Sequence, residues 1–196
     1  MLNIIFYGPE GSGKSTQAKL LAEKLGVTYI ASGDLVRWGA SDDQGMIGDM
    51  CRESLSKGYY VADTEMFVLW KNRLKQPDTE NGWIIDGFPR NITQAEFLAD
   101  KLDKYDKAVD LVFYLKVSED ESVKRLTARG RKAPDGSLHD SPDKIASRLK
   151  IYNEQEADVL SYYEQSGVLI EINGELAIED IQTDIAARVQ VKQSRT

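Results

Sequence analysis

The chain has 196 residues and carries 32 acidic side chains against 25 Lys and Arg, which gives a net charge of −7 at pH 7. This length suits a single domain, and the acidic excess argues against non-specific nucleic-acid binding, which needs clustered positive charge. One cysteine, Cys51, and one histidine, His139, exclude an internal disulfide and any zinc site built from several of these residues.

Short apolar runs alternate with amphipathic stretches along the chain. Short runs that end at turn residues are typical of buried strands, and apolar residues at i, i+3, i+4 and i+7 are typical of helices. This alternation predicts an α/β fold whose parallel sheet is covered on both faces. The predicted strands are residues 2–7, 27–30, 83–85, 111–117 and 168–172, and the predicted helices are residues 14–25, 64–74, 93–102, 119–129, 143–165 and 178–191.

Two segments interrupt the alternation. Residues 33–63 are polar and have a helical pattern with several glycines. Residues 130–142 are dominated by Gly, Pro, Asp and Ser, a composition that is typical of a mobile loop.

Residues 8–15, GPEGSGKS, match the pattern G-x-x-x-x-G-K-[ST] between a predicted strand and a predicted helix. Glycines let successive backbone N–H groups turn toward one anion, and the start of the helix adds its positive end. Lys14 then reaches the β- and γ-phosphates, and Ser15 or Thr16 faces Mg²⁺. The pattern predicts binding of a nucleoside triphosphate, but by itself it does not choose among GTPase, ATPase and kinase.

The strand at residues 83–85 ends in the sequence DGFPR at 86–90. An acid at the carboxyl end of such a strand lies at the edge where doubly wound sheets bind ligands, so Asp86 can hold Mg²⁺ or its water shell. Arg90 can bind a phosphate through its forked guanidinium. The ordinary alternative is a strand-to-loop turn with a solvated arginine.

Four further arginines bear on phosphate chemistry. Arg125 and Arg129 share one helix face, Arg148 lies in the next helix across the loop, and Arg37 lies in the first interruption. Phosphoryl transfer needs dispersed positive charge around the transferring group, which such arginines supply when the loop closes. The alternative is surface salt bridging, for example between Glu121 and Arg125.

Four motifs together resemble the adenylate kinase family of nucleoside monophosphate kinases, in its short-lid form. They are GPEGSGKST at 8–16, ASGDLVR at 31–37, DGFPR at 86–90 followed by Gln94, and the arginines at 125–148. The resemblance implies a P-loop NTPase fold with a five-stranded parallel sheet flanked by helices. It also implies one domain that consists of a core (1–32, 64–125 and 143–196), a helical insertion that binds the nucleoside monophosphate (33–63) and a short lid (126–142).

By this resemblance, the chain transfers the terminal phosphoryl group of Mg-ATP reversibly to AMP and forms two ADP. The implied catalytic residues are Lys14, Arg90, Arg125, Arg129 and Arg148, and the implied Mg²⁺ residues are Ser15 and Asp86, directly or through water. ATP binding is implied for Gly11, Ser12, Gly13, Lys14, Ser15, Thr16, Arg125, Arg129 and the backbone near Leu176. AMP binding is implied for Ser32, Arg37, Tyr59, Tyr60, Val61, Gly87, Phe88, Pro89, Arg90, Gln94 and Arg148, where Gln94 reads adenine because its amide offers both a donor and an acceptor.

The sequence departs from the family pattern at several positions. Its lid has no four-cysteine zinc site, and Ser137 stands where a lid arginine is usual, with Arg131 and Lys132 nearby. Ser32 replaces the commoner Thr, and the GKST sequence of the phosphate loop is similar to that of thymidylate kinases. The alternatives are therefore a kinase for UMP/CMP or dTMP, and a catalytically decayed regulator that binds ATP and AMP.

Location and assembly follow from weaker signals. No apolar run approaches the ~20 residues of a membrane span, and the amino terminus has no basic segment before its apolar run, unlike a signal peptide. We expect a cytoplasmic monomer whose partners are ATP and AMP, with no nucleic acid, membrane or structural zinc.

Overall fold

A five-stranded parallel sheet forms the centre of the structure, a computed structural model that describes residues 1–132, 136, 138 and 140–194. The strands are β1 (Asn3–Tyr7), β2 (Thr28–Ala31), β3 (Trp83–Asp86), β4 (Leu111–Lys116) and β5 (Leu169–Asn173), in the order β2-β3-β1-β4-β5. All neighbouring pairs are parallel. The predicted α/β class and five-stranded sheet are confirmed, and each strand lies within a residue or two of its predicted position.

Eight α-helices surround the sheet in the part of the chain that is described. They are α1 (Lys14–Leu25), α2 (Ser32–Asp42), α3 (Met46–Lys57), α4 (Asp63–Arg73), α5 (Ile92–Asp103), α6 (Glu119–Arg129), α7 (Pro142–Gln165) and α8 (Ile178–Gln193). Over the described residues, no helix has the length and apolar character needed to cross a bilayer.

Apolar packing covers the sheet on both faces. Because side chains of a strand alternate between faces, Ile4 and Phe6 of β1 pack in one cluster with α1 and α8, whereas Ile5 and Tyr7 pack in the other with α4, α5 and α7. The strand ends are consequently held by a core on each side, and this fixes the loops that leave them.

The first interruption folds as a helical pair that shares this core. Leu35 of α2 and Cys51 of α3 belong to the same apolar cluster as β1. Arg52 donates to the carbonyl oxygens of Ala40 at 2.7 Å and Asp43 at 2.9 Å, so it joins α3 to the end of α2.

The helices on either side of the second interruption share a small apolar cluster. Leu126 of α6 packs with Ile145 and Leu149 of α7, apart from the two larger clusters. Lys132 and Leu138 form an isolated antiparallel bridge between the helices. Ser137, which stands at the lid-arginine position, and His139 lie outside the described residues.

Two adjacent leucines of α1 provide a test of the core. Leu21 is fully buried, whereas Leu20 is 38% exposed on the same helix. We expect Leu21→Ala to lower the free energy of unfolding by about 2–5 kcal/mol, because it removes buried methyl groups and leaves a cavity. The matched control Leu20→Ala should cost less than about 1 kcal/mol. Urea unfolding measures both, and equal losses would contradict the assigned orientation of α1.

Candidate active site

The carboxyl ends of three adjacent strands meet at one edge of the sheet. Asp86 at the end of β3 is in register with Phe6 of β1 on one side and with Ala31 of β2 on the other. The loop after β1, the start of α2 at Ser32 and the turn after β3 therefore lie side by side. This edge is where open parallel sheets bind ligands.

Two glycines of the loop after β1 cannot be replaced, because the backbone conformation and the lack of space both exclude a side chain. Gly8 has φ 138°, and a Cβ there would lie 2.5 Å from the carbonyl oxygen of Leu115. Gly11 has φ 87°, and its Cβ would lie 2.8 Å from the carbonyl oxygen of Ser122. Gly13 caps α1, which begins at Lys14 and so turns the amides of its first turn toward the loop.

Lys14 folds back over this loop. Its ammonium group donates to the carbonyl oxygen of Pro9 at 2.6 Å and to the hydroxyl of Ser12 at 3.4 Å. Burial lowers the pKa of Lys14, and the carboxylates of Asp86 and Glu10 oppose that shift. The ammonium group is thus held inside the loop, where both carboxylates and other cations act on it.

Ser15 and Asp86 are brought together as the sequence predicts for a magnesium pair. The Ser15 hydroxyl donates to a carboxylate oxygen of Asp86 at 2.5 Å, and the Tyr29 hydroxyl donates to the same oxygen at 2.9 Å. Burial and the neighbouring Asp86 carboxylate raise the pKa of Tyr29, so its hydroxyl stays protonated as a donor. A carboxylate and a hydroxyl are hard oxygen ligands, and their chemistry fits Mg²⁺ bound jointly with phosphates.

Arg90 lies over an aromatic ring beside the turn after β3. Its guanidinium carbon is 3.8 Å from the centroid of Tyr60, a cation–π contact, and its Nε donates to the carbonyl oxygen of Gly87 at 2.9 Å. The Ser32 hydroxyl donates to the same carbonyl at 2.8 Å. Burial raises the pKa of Tyr60 to about 12. Arg90 and Ser32 therefore both bind the carbonyl oxygen of Gly87, and Tyr60 of the insertion packs against Arg90.

Gln94 is buried with its amide orientation fixed. Its Oε1 accepts from the backbone N–H of Arg90 at 2.7 Å, and its Nε2 donates to Asp63 at 2.6 Å. Asn91 donates to the other oxygen of Asp63 at 2.9 Å. A flipped amide would set donor against donor and oxygen against carboxylate. The second N–H and the second lone pair of the amide are thus held in one fixed order.

Arg129 and Arg148 share one buried carboxylate. Asp140 accepts from Arg129 Nε at 2.8 Å and Nη2 at 2.9 Å, and from Arg148 Nη2 at 2.9 Å. The other end of the Arg148 guanidinium lies 2.7 Å from Glu10 of the phosphate loop. Asp140 thereby links α6 to α7, and Glu10 links α7 to the phosphate loop.

Arg125 ties the phosphate loop to the turn after β5. Its Nε donates to Glu121 at 2.7 Å, and its Nη1 donates to the carbonyl oxygen of Gly174 at 2.9 Å. The same Nη1 lies 3.4 Å from the carbonyl oxygen of Ser12 and 3.5 Å from that of Gly11. The proposed surface pair with Glu121 and the proposed position beside the phosphate loop therefore both occur.

The remaining predicted residues lie farther from these contacts or turn away from the edge. Arg37 is exposed and pairs with Asp34 at 2.5 Å. Tyr59, Leu176 and Thr16 are exposed, whereas Val61 and Phe88 are buried in the core, where Phe88 stacks on Trp70 with ring centroids 4.8 Å apart. Val61 and Phe88 therefore present only backbone to the site.

Four residues of the site are absent from the sequence-based predictions: Glu10, Tyr29, Asp63 and Asp140. Glu10 could have been noticed in the sequence, because an acidic side chain is unexpected in a loop whose amides and Lys14 bind phosphate. No sequence pattern pointed to Tyr29, Asp63 or Asp140. Each hydrogen-bonds a residue that becomes its neighbour only in the folded chain.

Comparisons with known proteins match the chain to one family. The family model described as "Adenylate kinase" matches residues 6–168. The chain is 37% identical over 187 residues to "Adenylate kinase 1" of Nostoc sp., a match that covers 95% of this chain and 98% of that protein. It is 38% identical to "Adenylate kinase 1" of Synechocystis sp., over 95% of this chain and 96% of that protein. It is also 32% identical to "Adenylate kinase" of Archaeoglobus fulgidus, over 95% and 97%.

The shared carboxylate of Asp140 leads to a stability prediction. Its side chain is fully buried between Arg129 and Arg148. We expect Asp140→Asn to lower the free energy of unfolding by about 3–5 kcal/mol, because removing one partner of a buried ion pair leaves uncompensated charge. The control Asp184→Asn breaks an exposed pair with Arg188 and should cost less than about 1 kcal/mol. Chemical unfolding at neutral pH compares them, and a loss for Asp140→Asn no larger than that of the control would contradict the buried network.

Proposed function

The chain belongs to the adenylate kinase family and is an ATP:AMP phosphotransferase, and we propose that the residues gathered at the carboxyl edge of the sheet carry out this transfer. The enzyme moves the terminal phosphoryl group of ATP to AMP reversibly and yields two ADP. The observation that supports our assignment of residues is the convergence of Arg90 and Arg148 on Glu10 of the loop that carries Lys14. Cations from separate segments thus face one small volume.

In the proposed arrangement, two nucleotides meet phosphate to phosphate. The loop at residues 8–16 binds the ATP phosphates through its amides and Lys14, and Arg125 and Arg129 cover them from α6. The AMP phosphate lies against Arg90, with Arg37 reaching it from α2. Arg148 lies between the two and stabilises the transferring group. Catalysis then consists of positioning and charge stabilisation, with no covalent intermediate.

The acceptor base binds on the insertion side of Arg90. We propose that the remaining amide hydrogen and lone pair of Gln94 hydrogen-bond adenine while Asp63 holds the amide in the required orientation. Backbone groups of Tyr59, Tyr60, Val61, Gly87, Phe88 and Pro89 line this pocket, and the backbone near Leu176 meets the ATP base. Ser32 supports the pocket through Gly87.

Magnesium belongs to the ATP side of the site. Ser15 and Asp86 would hold it there, directly or through water, together with phosphate oxygens, because their hydroxyl and carboxylate are hard oxygen ligands that lie 2.5 Å apart. When bound, Mg²⁺ neutralises phosphate charge and orients the β- and γ-phosphates. Ser15 and Asp86 fix its place relative to Lys14.

Closure of the insertion (33–63) and the lid (126–142) over the core excludes water from the transferring phosphate. We propose that the enzyme is a monomer, the default state of the family, and that it acts in the cytoplasm. The family match and the names of the relatives do not favour a UMP/CMP or dTMP kinase, nor a decayed regulator. An acceptor panel of AMP, UMP, CMP, GMP and dTMP with ATP compares these substrates directly.

Arg90 and Lys14 give the sharpest test of the phosphate assignments. We expect Arg90→Ala to lower kcat/KM for AMP by about 10²–10³-fold, because it removes a forked donor from the transferring charge. Lys14→Ala should have a loss of similar size. Arg90→Lys should remain at least about tenfold impaired, since an ammonium cannot make the bidentate contact. A coupled assay of ADP formation measures all three.

The control for this series is Arg188→Lys, an exposed arginine of α8 that pairs with Asp184. It should retain full activity. Near-normal turnover in Arg90→Ala or Lys14→Ala, with the fold intact by circular dichroism, would overturn the assignment of these residues.

Gln94 tests how the acceptor base is recognised. We expect Gln94→Ala to raise KM for AMP by about 10–100-fold and to change kcat much less, because the amide contacts the base rather than the phosphate. Asp63→Asn should reduce the preference for AMP over GMP, because it frees the amide to flip. Steady-state kinetics with both acceptors at saturating ATP gives these values, and an unchanged KM for AMP in Gln94→Ala would exclude Gln94 from base recognition.

A further inference from the structure

Glu10 is an anion at the point where the site gathers its cations. One carboxylate oxygen lies 2.7 Å from Nη1 of Arg148. The other accepts from the Tyr60 hydroxyl at 2.9 Å and lies 4.0 Å from Nη1 of Arg90. The side chain thus joins the phosphate loop to α7, to the insertion and to the turn after β3.

The carboxylate has the contacts of a bound phosphate. It takes a charge-assisted bond from an arginine, a hydroxyl bond from a tyrosine and the field of a second arginine, which are groups that bind oxyanions. Burial would raise the pKa of Glu10, but the charges of Arg148 and Arg90 and the bond from Tyr60 outweigh it, and the pKa lies below the usual glutamate value. Glu10 is therefore an anion at neutral pH and a weak proton acceptor.

Arg148 cannot receive a phosphoryl group while this contact is in place. Its side chain is only 5% exposed, with Glu10 against one end of the guanidinium and Asp140 against the other. Asp140 is fully buried and also holds Arg129, whereas Glu10 is part of the open loop and 24% exposed. Of these two carboxylates, Glu10 is the one with room to move aside.

We propose that Glu10 is a positioning residue that holds Arg148 and Arg90 in the empty enzyme and is displaced from them by a phosphoryl oxygen of the bound nucleotides. This inference rests on the proposed function, because it takes Arg148 and Arg90 as the phosphate-binding groups. The exchange is electrostatic: one anion leaves the guanidinium groups and another replaces it, and no covalent bond changes.

The exchange has two consequences for turnover. Because nucleotides must displace the Glu10 carboxylate, their affinity is lower than it would be if the arginines had no internal anion beside them. Because the same carboxylate returns to Arg148 when phosphate leaves, release of product is faster. Glu10 thus lowers affinity in favour of turnover, an effect that a purely structural side chain would not have.

The test uses Glu10→Gln, which keeps the shape and the acceptor for Tyr60 and removes the charge. The probe is the bisubstrate compound P1,P5-di(adenosine-5′) pentaphosphate, titrated by calorimetry. We expect Kd to fall by about tenfold, since a competing charge has been removed from the site. Dissociation should slow by a similar factor in stopped-flow measurements. KM for AMP should fall without a rise in kcat.

Two further variants complete the comparison. Glu53→Gln removes an equal charge from an exposed pair with Lys57 on α3 and should leave Kd within twofold of the unaltered enzyme. Glu10→Asp withdraws the carboxylate from Arg148 and should tighten binding by a smaller factor than Glu10→Gln. If Glu10→Gln fails to fold, the Kd of Glu10→Asp for the bisubstrate compound tests the proposal.

The outcomes distinguish a failure of the Glu10 exchange from a failure of the proposed function. Binding by Glu10→Gln that is tighter by threefold or more, with Glu53→Gln unchanged, supports the exchange. A smaller gain, or weaker binding, overturns it while the proposed function stands, provided that the unaltered enzyme binds the probe and Arg90→Ala does not. Failure of the unaltered enzyme to bind the probe overturns both.

Discussion

The site depends on one electrostatic constraint: several arginines must lie close together before any phosphate is present to neutralise them. The chain meets this constraint with an alternating series of charges that runs from Arg129 through Asp140 to Arg148 and from there to Glu10 and Arg90. Each arginine of this series has a carboxylate near it, and the buried Arg148 lies against both Glu10 and Asp140, as buried charges require. Because the members come from α6, α7, the phosphate loop and the turn after β3, the same series also sets how these segments approach one another.

Apolar packing has the complementary role of fixing the parts that must not move. The sheet is buried on both faces, so the ends of β1 and β3 are rigid, and with them the loop that carries Lys14 and the carboxylate of Asp86. Between α6 and α7, the described residues form a separate apolar cluster of Leu126, Ile145 and Leu149. The sheet thus gives positional accuracy to the phosphate loop and to Asp86, and the ion pairs of Asp140 join α6 to Arg148 of α7.

The sequence predicted the sheet well because strands depend on local pattern. Strand bounds agree within two residues, and the Ser15–Asp86 pair follows from two motifs that each end a strand. The magnesium role of that pair remains a prediction. Contacts between distant segments were not predictable: Tyr60 meets Glu10 across 50 positions, and no periodicity encodes that meeting. Nor did the motif DGFPR reveal that the Phe88 side chain would turn into the core, since motifs specify residues and not the direction of each side chain.

An acid in the phosphate loop is a place where local sequence and local function disagree, and such disagreements commonly mark function. A neutral side chain at position 10 would leave Arg148 with Asp140 as its described carboxylate partner, and the phosphate site would have a larger positive excess. Nucleotides would then bind more tightly, and products would bind more tightly as well. A reversible enzyme that forms two molecules of one product gains nothing from tight product binding, because release limits turnover when chemistry is fast. A tethered carboxylate that competes with phosphate at the arginines is a physically sufficient way to hold that affinity down while keeping the arginines in place.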